Sequence, residues 1–355
     1  MKSKSLELKK APLVSVVIVN YNDEEHIVKC LNSVFKSQYP LFEVIFIDNG
    51  STDQSVKLIQ KLYKDKLNDC SLRVFLNKIN LGPAKARNIA AKHAKGKYLA
   101  FLDSDTEVDP LWLYEAIKIM ESDSSIGAVQ CKLLLMYDKK RYDYAGDYLT
   151  PFGFLVQRVS TGQLDYGSLD KIEEIFGAKS AGMIVKANVF FQVGMFDEDY
   201  FIYCEDTDLC WRIWLSGYRV VFVPSSIVYH DFRLNTRSKL SRPKNLDKYH
   251  GAKNYISSLI KNLETTNLIR ILPVHLTLWL GLCIWYILNK RINYTVSIIK
   301  GILYVLNNLN KIFYKRIFIQ KYVRKIPDNL IMKKVSRKVS LKYFICKTLS
   351  GGWST

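Results

Sequence analysis

Several features that mark common protein classes are missing from this sequence of 355 residues. Its seven cysteines include no CxxC pair, which argues against a disulfide framework or a structural zinc site and favours a reducing compartment. Neither GxxxxGK(S/T) nor GxGxxG follows a predicted strand, so the usual phosphate-loop and dinucleotide patterns are absent. The N-terminal residues are charged and lack the apolar core of a signal peptide, and we therefore predict none.

Acidic residues are scarce in the C-terminal third. Residues 1–234 hold 29 Lys and Arg against 30 Asp and Glu, whereas residues 235–355 hold 23 against 3. Such a local positive block is typical of a segment that meets an anionic surface, either nucleic acid or membrane phosphate. Apolar runs interrupt the charges and no DNA- or RNA-reading motif is recognisable, so we expect an anionic membrane as the partner and no nucleic acid.

One apolar run in this basic part, ILPVHLTLWLGLCIWYIL at residues 271–288, has 18 residues without Asp, Glu, Lys or Arg. That length reaches the lower range of membrane-spanning helices, although Pro273 and His275 weaken this interpretation. The later stretch KIFYKRIFIQKYVRK is typical of an amphipathic helix on an anionic bilayer. A span, a helix in the membrane surface and a soluble helical appendage all stay open. We predict a basic, helical, membrane-associated region over residues 236–355.

Strand and helix signals alternate through the first 130 residues. Apolar runs of strand length occur at 14–20, 43–51, 72–77 and 97–103, and sequences with helical spacing connect them. Asn22 is expected to cap the first of these helices, with Glu25 three residues on. Runs that are buried on both faces and alternate with helices predict an α/β fold with a mostly parallel sheet.

Polar side chains follow three of the predicted strands. Asn20 and Tyr21 end the first strand, Asp48 ends the second, and Asp103 with Asp105 ends the fourth. Ligands bind beyond the carboxyl ends of parallel strands, so we expect these side chains to share one crevice. Carboxylates suit Mg²⁺ or Mn²⁺, which commonly bridge a protein to a diphosphate. The alternative is a solvated acidic turn that caps the helix beginning near Pro110.

A second informative block lies between residues 177 and 232. EDTDLCWRIWLSG reads as a helix that starts at Glu205 and Asp206, where the helix dipole favours carboxylates, and ends at Gly217. YRVVFVP and IVYH follow as two short strands. A carboxylate at such a position is oriented and partly exposed, as a general base acting on a hydroxyl requires. The alternative is that both acidic residues only cap the helix.

Five ordered motifs together resemble family 2 glycosyltransferases with the GT-A fold, in the rhamnosyltransferase-like branch of polysaccharide biosynthesis. They are VSVVIVNYN, VIFIDNGSTD, NLGPAKARNIAAKHAKGKYLAFLDSDTEVDP, GMIVKANVFFQVGMFDEDYFIYCEDTDLCWR and GYRVVFVPSSIVYH, within residues 13–235. The resemblance implies an inverting, metal-dependent hexosyltransferase that uses a nucleotide-diphospho-sugar. Met195 departs from the pattern, since similar sequences often carry glycine there.

The resemblance also implies roles for individual residues. Asp103 and Asp105 match the metal-binding motif, His230 matches a histidine that completes the metal site in some relatives, and Asp206 matches the catalytic base. The ion would be Mn²⁺ or Mg²⁺. The positions that match the nucleotide or diphosphate site are Asn20, Tyr21, Asp48, Arg87 and Asp103. The other histidines, His26, His93, His250 and His275, we interpret as structural.

These assignments define an expected organisation. Residues 1–12 form a tail, 13–110 the nucleotide-sugar-binding half and 111–235 the acceptor half of the catalytic domain. The acceptor is expected to be a hydroxyl of a lipid-linked or growing glycan at the cytoplasmic face of the membrane. One alternative is a polyprenyl-phosphate sugar synthase, in which a phosphate oxygen attacks. A basic nucleic-acid-binding protein is the less favoured alternative.

Overall fold

The first half of the chain forms the parallel part of one sheet. The computed structural model describes residues 11–231 and 245–339, so the predicted tail lies almost wholly outside the described residues. Four strands pair in parallel in the order β3-β2-β1-β4. They are β1 (Val14–Asn20), β2 (Phe42–Asp48), β3 (Leu72–Leu76) and β4 (Tyr98–Asp103). The predicted α/β fold with a mostly parallel sheet is confirmed here, and the carboxyl ends of β2, β1 and β4 lie side by side.

Helices cover both faces of these strands, which explains why their sequences are apolar without alternation. Val17 and Leu99 pack into one core with α4 (Pro83–Lys92). Val16 and Ala100 pack into the other core with α1 (Ile27–Phe35). Two further helices, α2 (Ser55–Leu62) and α3 (Lys64–Asn68), connect β2 to β3.

The first helix begins later than its sequence suggests. α1 starts at Ile27, and Asn22 does not cap it but lies in the left-handed region at φ 52°. The side chain of Asn22 accepts a hydrogen bond of 2.7 Å from the backbone amide of Thr52. The loops after β1 and β2 therefore bind each other, and this contact across the sheet edge overrides the local capping pattern.

The second half extends the same sheet with mixed pairing. β11 runs antiparallel between β4 and β6, and β12 lies parallel to β6 on its far side. We predicted two short strands here, but β12 is a single strand with a register shift between Val223 and Ile227. Pro224 lies in this stretch and has no backbone N–H to donate to the ladder. The elements are β5 (Thr106–Val108), α5 (Trp112–Ser122), β6 (Ile126–Leu135), β7 (Asp138–Tyr144), β8 (Asp147–Leu149), β9 (Leu155–Gln157), β10 (Glu173–Glu174), β11 (Met183–Lys186), α6 (Ala187–Gln192), α7 (Glu205–Leu215) and β12 (Arg219–His230).

The turn after α6 has an uncommon backbone. Gly194 and Met195 have φ values of 89° and 59°. A methionine in the left-handed region is strained, because its Cβ crowds the following carbonyl and only glycine avoids this cost. The turn nevertheless closes, since the amide of Met195 donates to the carbonyl of Phe190 at 2.9 Å. The departure at Met195 therefore leaves the turn intact.

The C-terminal part is helical and packs in two layers. α8 is the inner helix, and it contacts α7 on one side and α9, α10 and α11 on the other. Most of α8 is buried, including lysines and asparagines that contact Asp197, Asp199 and Asp208. The elements are α8 (Leu246–Asn262), α9 (Thr265–Leu288), α10 (Ile292–Asn307), α11 (Leu309–Phe318), a π-helical segment (Ile319–Val323) and α12 (Asp328–Val335).

Candidate active site

Two acidic residues and a histidine meet where β4 ends. β5 follows β4 after a short turn and pairs antiparallel with the end of β12, so that Thr106 lies opposite His230. The same pairing lets the amide of Asp231 donate to the carbonyl of Asp105 at 2.9 Å. One ligand atom each from Asp103, Asp105 and His230 lie within 4.8 Å of one another. Residues far apart in sequence are therefore brought together by one strand pair.

The imidazole of His230 is held in one orientation. Its Nδ1 lies 2.9 Å from a carboxylate oxygen of the fully buried Asp143, and its Nε2 lies 3.4 Å from Asp105. Burial disfavours the charged imidazole, but Asp105 and the hydrogen bonds to both carboxylates raise the pKa of His230 well above its ordinary value. A carboxylate on Nδ1 leaves Nε2 as the atom that faces Asp105, an arrangement common for metal-binding histidines.

The donor set fits a divalent cation. Two carboxylates and one imidazole nitrogen converge, and all three side chains are half-buried, which leaves one side open to a ligand. Carboxylate oxygens suit Mg²⁺ and Mn²⁺, and imidazole is a common additional ligand for transition metals. Asp103, Asp105 and His230 are thus the residues that would hold the ion, with Asp143 orienting His230.

Asp143 is a site residue that sequence analysis missed. It lies in β7, within a segment whose local sequence, DKKRYDY, reads as an ordinary strand. Because β7 pairs with β6 and β6 pairs with β12, the side chain of Asp143 reaches His230 across the sheet. Only this non-local pairing distinguishes it from the neighbouring acidic residues.

A buried arginine connects the carboxylates to the start of α7. Arg87 is 4% exposed. Its guanidinium donates to Asp103 at 2.6 Å and to Glu205 at 3.1 Å. Burial and the neighbouring Asp206 raise the pKa of Glu205, while Arg87 opposes this rise. We expected Arg87 at the nucleotide or its diphosphate, and the structure places it between two carboxylates at this crevice.

Asp206 lies in the first turn of α7. One of its oxygens accepts from the amide of Ser180 at 3.2 Å and the other from the amide of Thr207 at 2.8 Å. The N-cap position of α7 is Cys204, so Asp206 is not the N-cap residue. Burial raises the pKa of Asp206, with Arg87 and the backbone amides opposing it. The result is an oriented carboxylate with enhanced basicity.

The residues at the ends of β1 and β2 form a hydrogen-bonded group. The side-chain amide of Asn20 donates to Asp48 at 2.9 Å. Asp48 also accepts from the backbone amide and from the hydroxyl of Ser51. Asn20 and Asp48 are buried, whereas Tyr21 is 48% exposed. Asn20 and Asp48 therefore shape the edge of the crevice, and the ring of Tyr21 is free to contact a planar ligand.

A second histidine ties α1 to the end of β12. His26 precedes α1, and its two ring nitrogens lie 2.5 Å from Asp23 and 2.8 Å from Asp231. The hydrogen bond to Asp23 is the main reason that the pKa of His26 rises to about 9. We interpreted His26 as structural from its sequence; the contact fixes the residue that follows His230.

The fold and this crevice define a GT-A glycosyltransferase. The chain matches the model for Glycosyl transferase family 2 over residues 15–168 and the model for Glycosyl transferase family group 2 over residues 98–314. Because the second match spans more than half of the sequence, the chain belongs to the family 2 glycosyltransferases. The predicted family is therefore confirmed.

Similar curated proteins carry related names. The chain is 26% identical over 287 residues to an uncharacterized glycosyltransferase of Haemophilus influenzae, covering 75% of this chain and 82% of that protein. It is 28% identical over 217 residues to poly-beta-1,6-N-acetyl-D-glucosamine synthase of Staphylococcus aureus, covering 61% of this chain. It spans 49% of that synthase, so the likeness does not extend to the whole relative.

Solved structures share the fold at low sequence identity. Mannosyltransferase PcManGT from Pyrobaculum calidifontis, in complex with GDP-Man and Mn²⁺, matches with a TM-score of 0.54 and 16% identity over 97% of this chain and 85% of that one. GalNAc-T7 with UDP, GalNAc and Mn²⁺ matches with a TM-score of 0.55 and 21% identity, over 71% of this chain and 48% of that one. These matches confirm the GT-A fold.

Replacing Asp105 should strongly weaken cation binding at the crevice. Loss of a group that hydrogen-bonds a metal ligand typically costs roughly 10–100-fold in affinity. We expect Asp105→Ala to weaken Mn²⁺ binding by more than this, because a charged ligand itself is lost. Isothermal titration with Mn²⁺ measures this directly, and Glu107→Ala, which removes a neighbouring carboxylate of β5, is the control. Equal Mn²⁺ affinity in wild type and Asp105→Ala would contradict the metal assignment.

Replacing Asp143 tests its contribution through His230. Asp143→Asn keeps the shape but removes the charge behind Nδ1, so Mn²⁺ affinity should fall by about 10-fold or more. Asp138→Asn, in the same strand, changes a carboxylate that pairs with Arg141 instead of His230, and it should bind Mn²⁺ as wild type does. The idea fails if the two variants have the same affinity.

Proposed function

We propose that this glycosyltransferase moves a sugar from a nucleotide-diphospho-sugar to a hydroxyl of a lipid-linked or growing glycan, with inversion, at the cytoplasmic face of the membrane. The observation that carries the proposal is the Arg87 bridge. A single guanidinium contacts Asp103 of the candidate metal cluster and Glu205 next to Asp206. The group that would hold the leaving diphosphate and the candidate base therefore lie at one crevice.

The names of similar proteins support the donor and the acceptor class. Two structures with the same fold were solved with a nucleotide or nucleotide-sugar and Mn²⁺. One relative is named poly-beta-1,6-N-acetyl-D-glucosamine synthase. We propose the same classes here: a nucleotide-diphospho-sugar, Mn²⁺ or Mg²⁺, and a glycan hydroxyl.

The reaction we propose is one displacement. The acceptor oxygen forms a bond to the anomeric carbon while the bond from that carbon to the diphosphate oxygen breaks on the opposite side, which inverts the configuration. Asp206 takes the proton from the acceptor hydroxyl. Asp103, Asp105 and His230 would hold a divalent ion, which would supply Lewis-acid stabilisation of the leaving diphosphate. Asn20, Tyr21 and Asp48 lie at the end of the crevice that we assign to the nucleotide.

The outer helices α9, α10 and α11 present an apolar surface that we assign to the membrane. Residues 265–327 contain no Asp or Glu but ten Lys and Arg. Exposed apolar side chains form a stripe along each of the three helices, on the side away from α8. This outer face comprises Leu280, Ile284, Ile287, Leu288, Ile292, Val296, Ile299, Leu303, Leu306, Phe313, Tyr314, Ile317 and Phe318. Apolar stripes among basic residues match an anionic lipid surface.

We propose that α9 lies in the membrane surface. By length and composition α9 is able to span a bilayer, and 22% of its most apolar stretch is buried in the protein. Its buried residues recur from His275 to Tyr286 along one side. His275 contacts the carbonyl of Phe152 in the catalytic half at 2.9 Å. These contacts hold α9 along its length against the rest of the protein. If α9 lies in the plane of the membrane surface, its exposed apolar side contacts lipid while its buried side stays packed on the protein.

Replacing the candidate base should remove transfer but not donor binding. Asp206→Asn keeps the shape and cannot accept the proton, so the kcat for a glycan hydroxyl should fall by on the order of 10²–10⁴. Burial raises the pKa of Asp206, so this carboxylate becomes protonated at a higher pH than an ordinary aspartate does. As the pH is lowered, the wild-type kcat should therefore begin to fall at a pH above the usual pKa of an aspartate. Transfer from a panel of UDP-, dTDP- and GDP-sugars measures both effects.

The control for this experiment is Glu198→Gln, which changes a carboxylate in the segment before α7. Glu198→Gln should have the kcat of wild type. Near-normal transfer by Asp206→Asn would show that Asp206 is not the base. A polyprenyl phosphate acceptor needs no strong base. Its use by Asp206→Asn without loss would identify the polyprenyl-phosphate alternative.

The outer face should determine vesicle binding. We expect the triple variant Ile284→Glu, Ile299→Glu and Ile317→Glu to bind phosphatidylglycerol vesicles more weakly by about three orders of magnitude or more. The reason is that each isoleucine would contribute roughly 1.5–3 kcal/mol when it becomes buried in lipid. The control places glutamate at three exposed apolar positions of the catalytic half, Leu41, Leu62 and Ile172. Flotation assays with anionic and neutral vesicles measure the difference. Vesicle binding that is equal in both variants would contradict the assignment.

A further inference from the structure

The segment before the candidate base has a strained backbone. Phe201, at φ 60° and ψ −65°, is the centre of a γ-turn in which the amide of Ile202 donates to the carbonyl of Tyr200 at 2.7 Å. This turn type is rare and strained. Tyr203 and Cys204 also lie in the left-handed region, with φ of 69° and 63°. Three of the four residues before Glu205 therefore have a positive φ, and none of them is glycine.

Strain of this kind persists only where the surroundings determine the conformation. Cys204 makes no side-chain cap at α7. The ring of Phe201 packs over Gly82, where any Cβ would come within 2.7 Å of it. Further contacts to the segment come from α8 and α11.

Asn254 of α8 is the central contact. It is fully buried, and its side-chain amide donates to the carbonyls of Ile202 at 2.9 Å and Tyr203 at 2.7 Å, with a longer bond of 3.3 Å to Tyr200. The two hydrogens of the amide match the two shorter bonds, while the carbonyl of Tyr200 also accepts from the amide of Ile202. The γ-turn and the left-handed Tyr203 both direct their carbonyls toward Asn254, so one side chain satisfies the carbonyls of Ile202 and Tyr203.

Lysines from the same helical region hold the start of the segment. Lys253 donates to the carbonyl of Asp199 at 2.6 Å, and Lys261 pairs with the carboxylate of Asp197. Lys315 of α11 pairs with both Asp197 and Asp199. Acidic residues before the turn and carbonyls within it are therefore bound by one face of the C-terminal helices.

We propose that Asn254 is a positioning residue for transfer, and that α8 is part of the catalytic unit. Asn254 holds Tyr200–Cys204 in the strained conformation from which α7 starts, and thereby directs Asp206 toward Ser180 and the crevice. This inference rests on the proposed role of Asp206 as the base. It assigns to the C-terminal helices a function separate from attachment to a membrane.

The test compares Asn254→Ala with Ser257→Ala in the full chain. Ser257 is also buried in α8, but its hydroxyl donates to the carbonyl of Lys253 within the helix. We expect Asn254→Ala to lower kcat by about 10²-fold, a loss typical of a misplaced catalytic group, while the donor KM stays unchanged. Ser257→Ala should keep its kcat even where its thermal stability falls equally.

Hydrogen exchange provides a readout that does not depend on activity. Amides of residues 201–206 should exchange faster in Asn254→Ala than in Ser257→Ala, and amides of β1 should exchange equally in both. Wild-type kcat in a folded Asn254→Ala, or equal losses in both variants, would overturn the inference. If Asp206→Asn is inactive but Asn254→Ala is not, only the positioning role fails; if Asp206→Asn is active, the proposed base fails.

Discussion

The site depends on one buried guanidinium. Arg87 carries a full charge at 4% exposure, and such a charge is tolerated only when partners compensate for its lost hydration. Asp103 and Glu205 are those partners, one at the end of β4 and one at the start of α7. The strands of the first half and the helix of the second half are therefore joined electrostatically at the point where the reaction is proposed to occur. Removing either carboxylate leaves the guanidinium with a single ion pair and breaks this connection between the two halves.

Much of the fold could be read from local sequence. The apolar runs of β1, β2 and β4 predicted the parallel strands, because such runs reflect burial within a few residues. Asn22 shows where such reasoning fails. Its capping pattern is locally sound, but a contact with the loop after β2 is stronger. For β12, an irregular ladder joins what looked like two strands.

The candidate site divides in the same way. Asp103, Asp105 and Asp206 stand at strand or helix ends, and local sequence was enough to single them out. Asp143 and Asn254 carry no local signal, since an acidic residue in a strand and an asparagine in a helix are common. Each acquires its position through pairing or packing with residues more than 40 positions away. Their importance follows from geometry that a single sequence does not encode in any short window.

The buried polar face of α8 has a consequence for how this enzyme can diversify. A helix that meets its neighbour through apolar side chains can be exchanged for another of similar volume. α8 instead meets the catalytic half through directional hydrogen bonds and ion pairs to Tyr200–Cys204 and Asp197. A chimera that takes its C-terminal helices from a relative would therefore have to take the matching segment before α7 as well. The C-terminal helices and the segment before α7 form one inherited module.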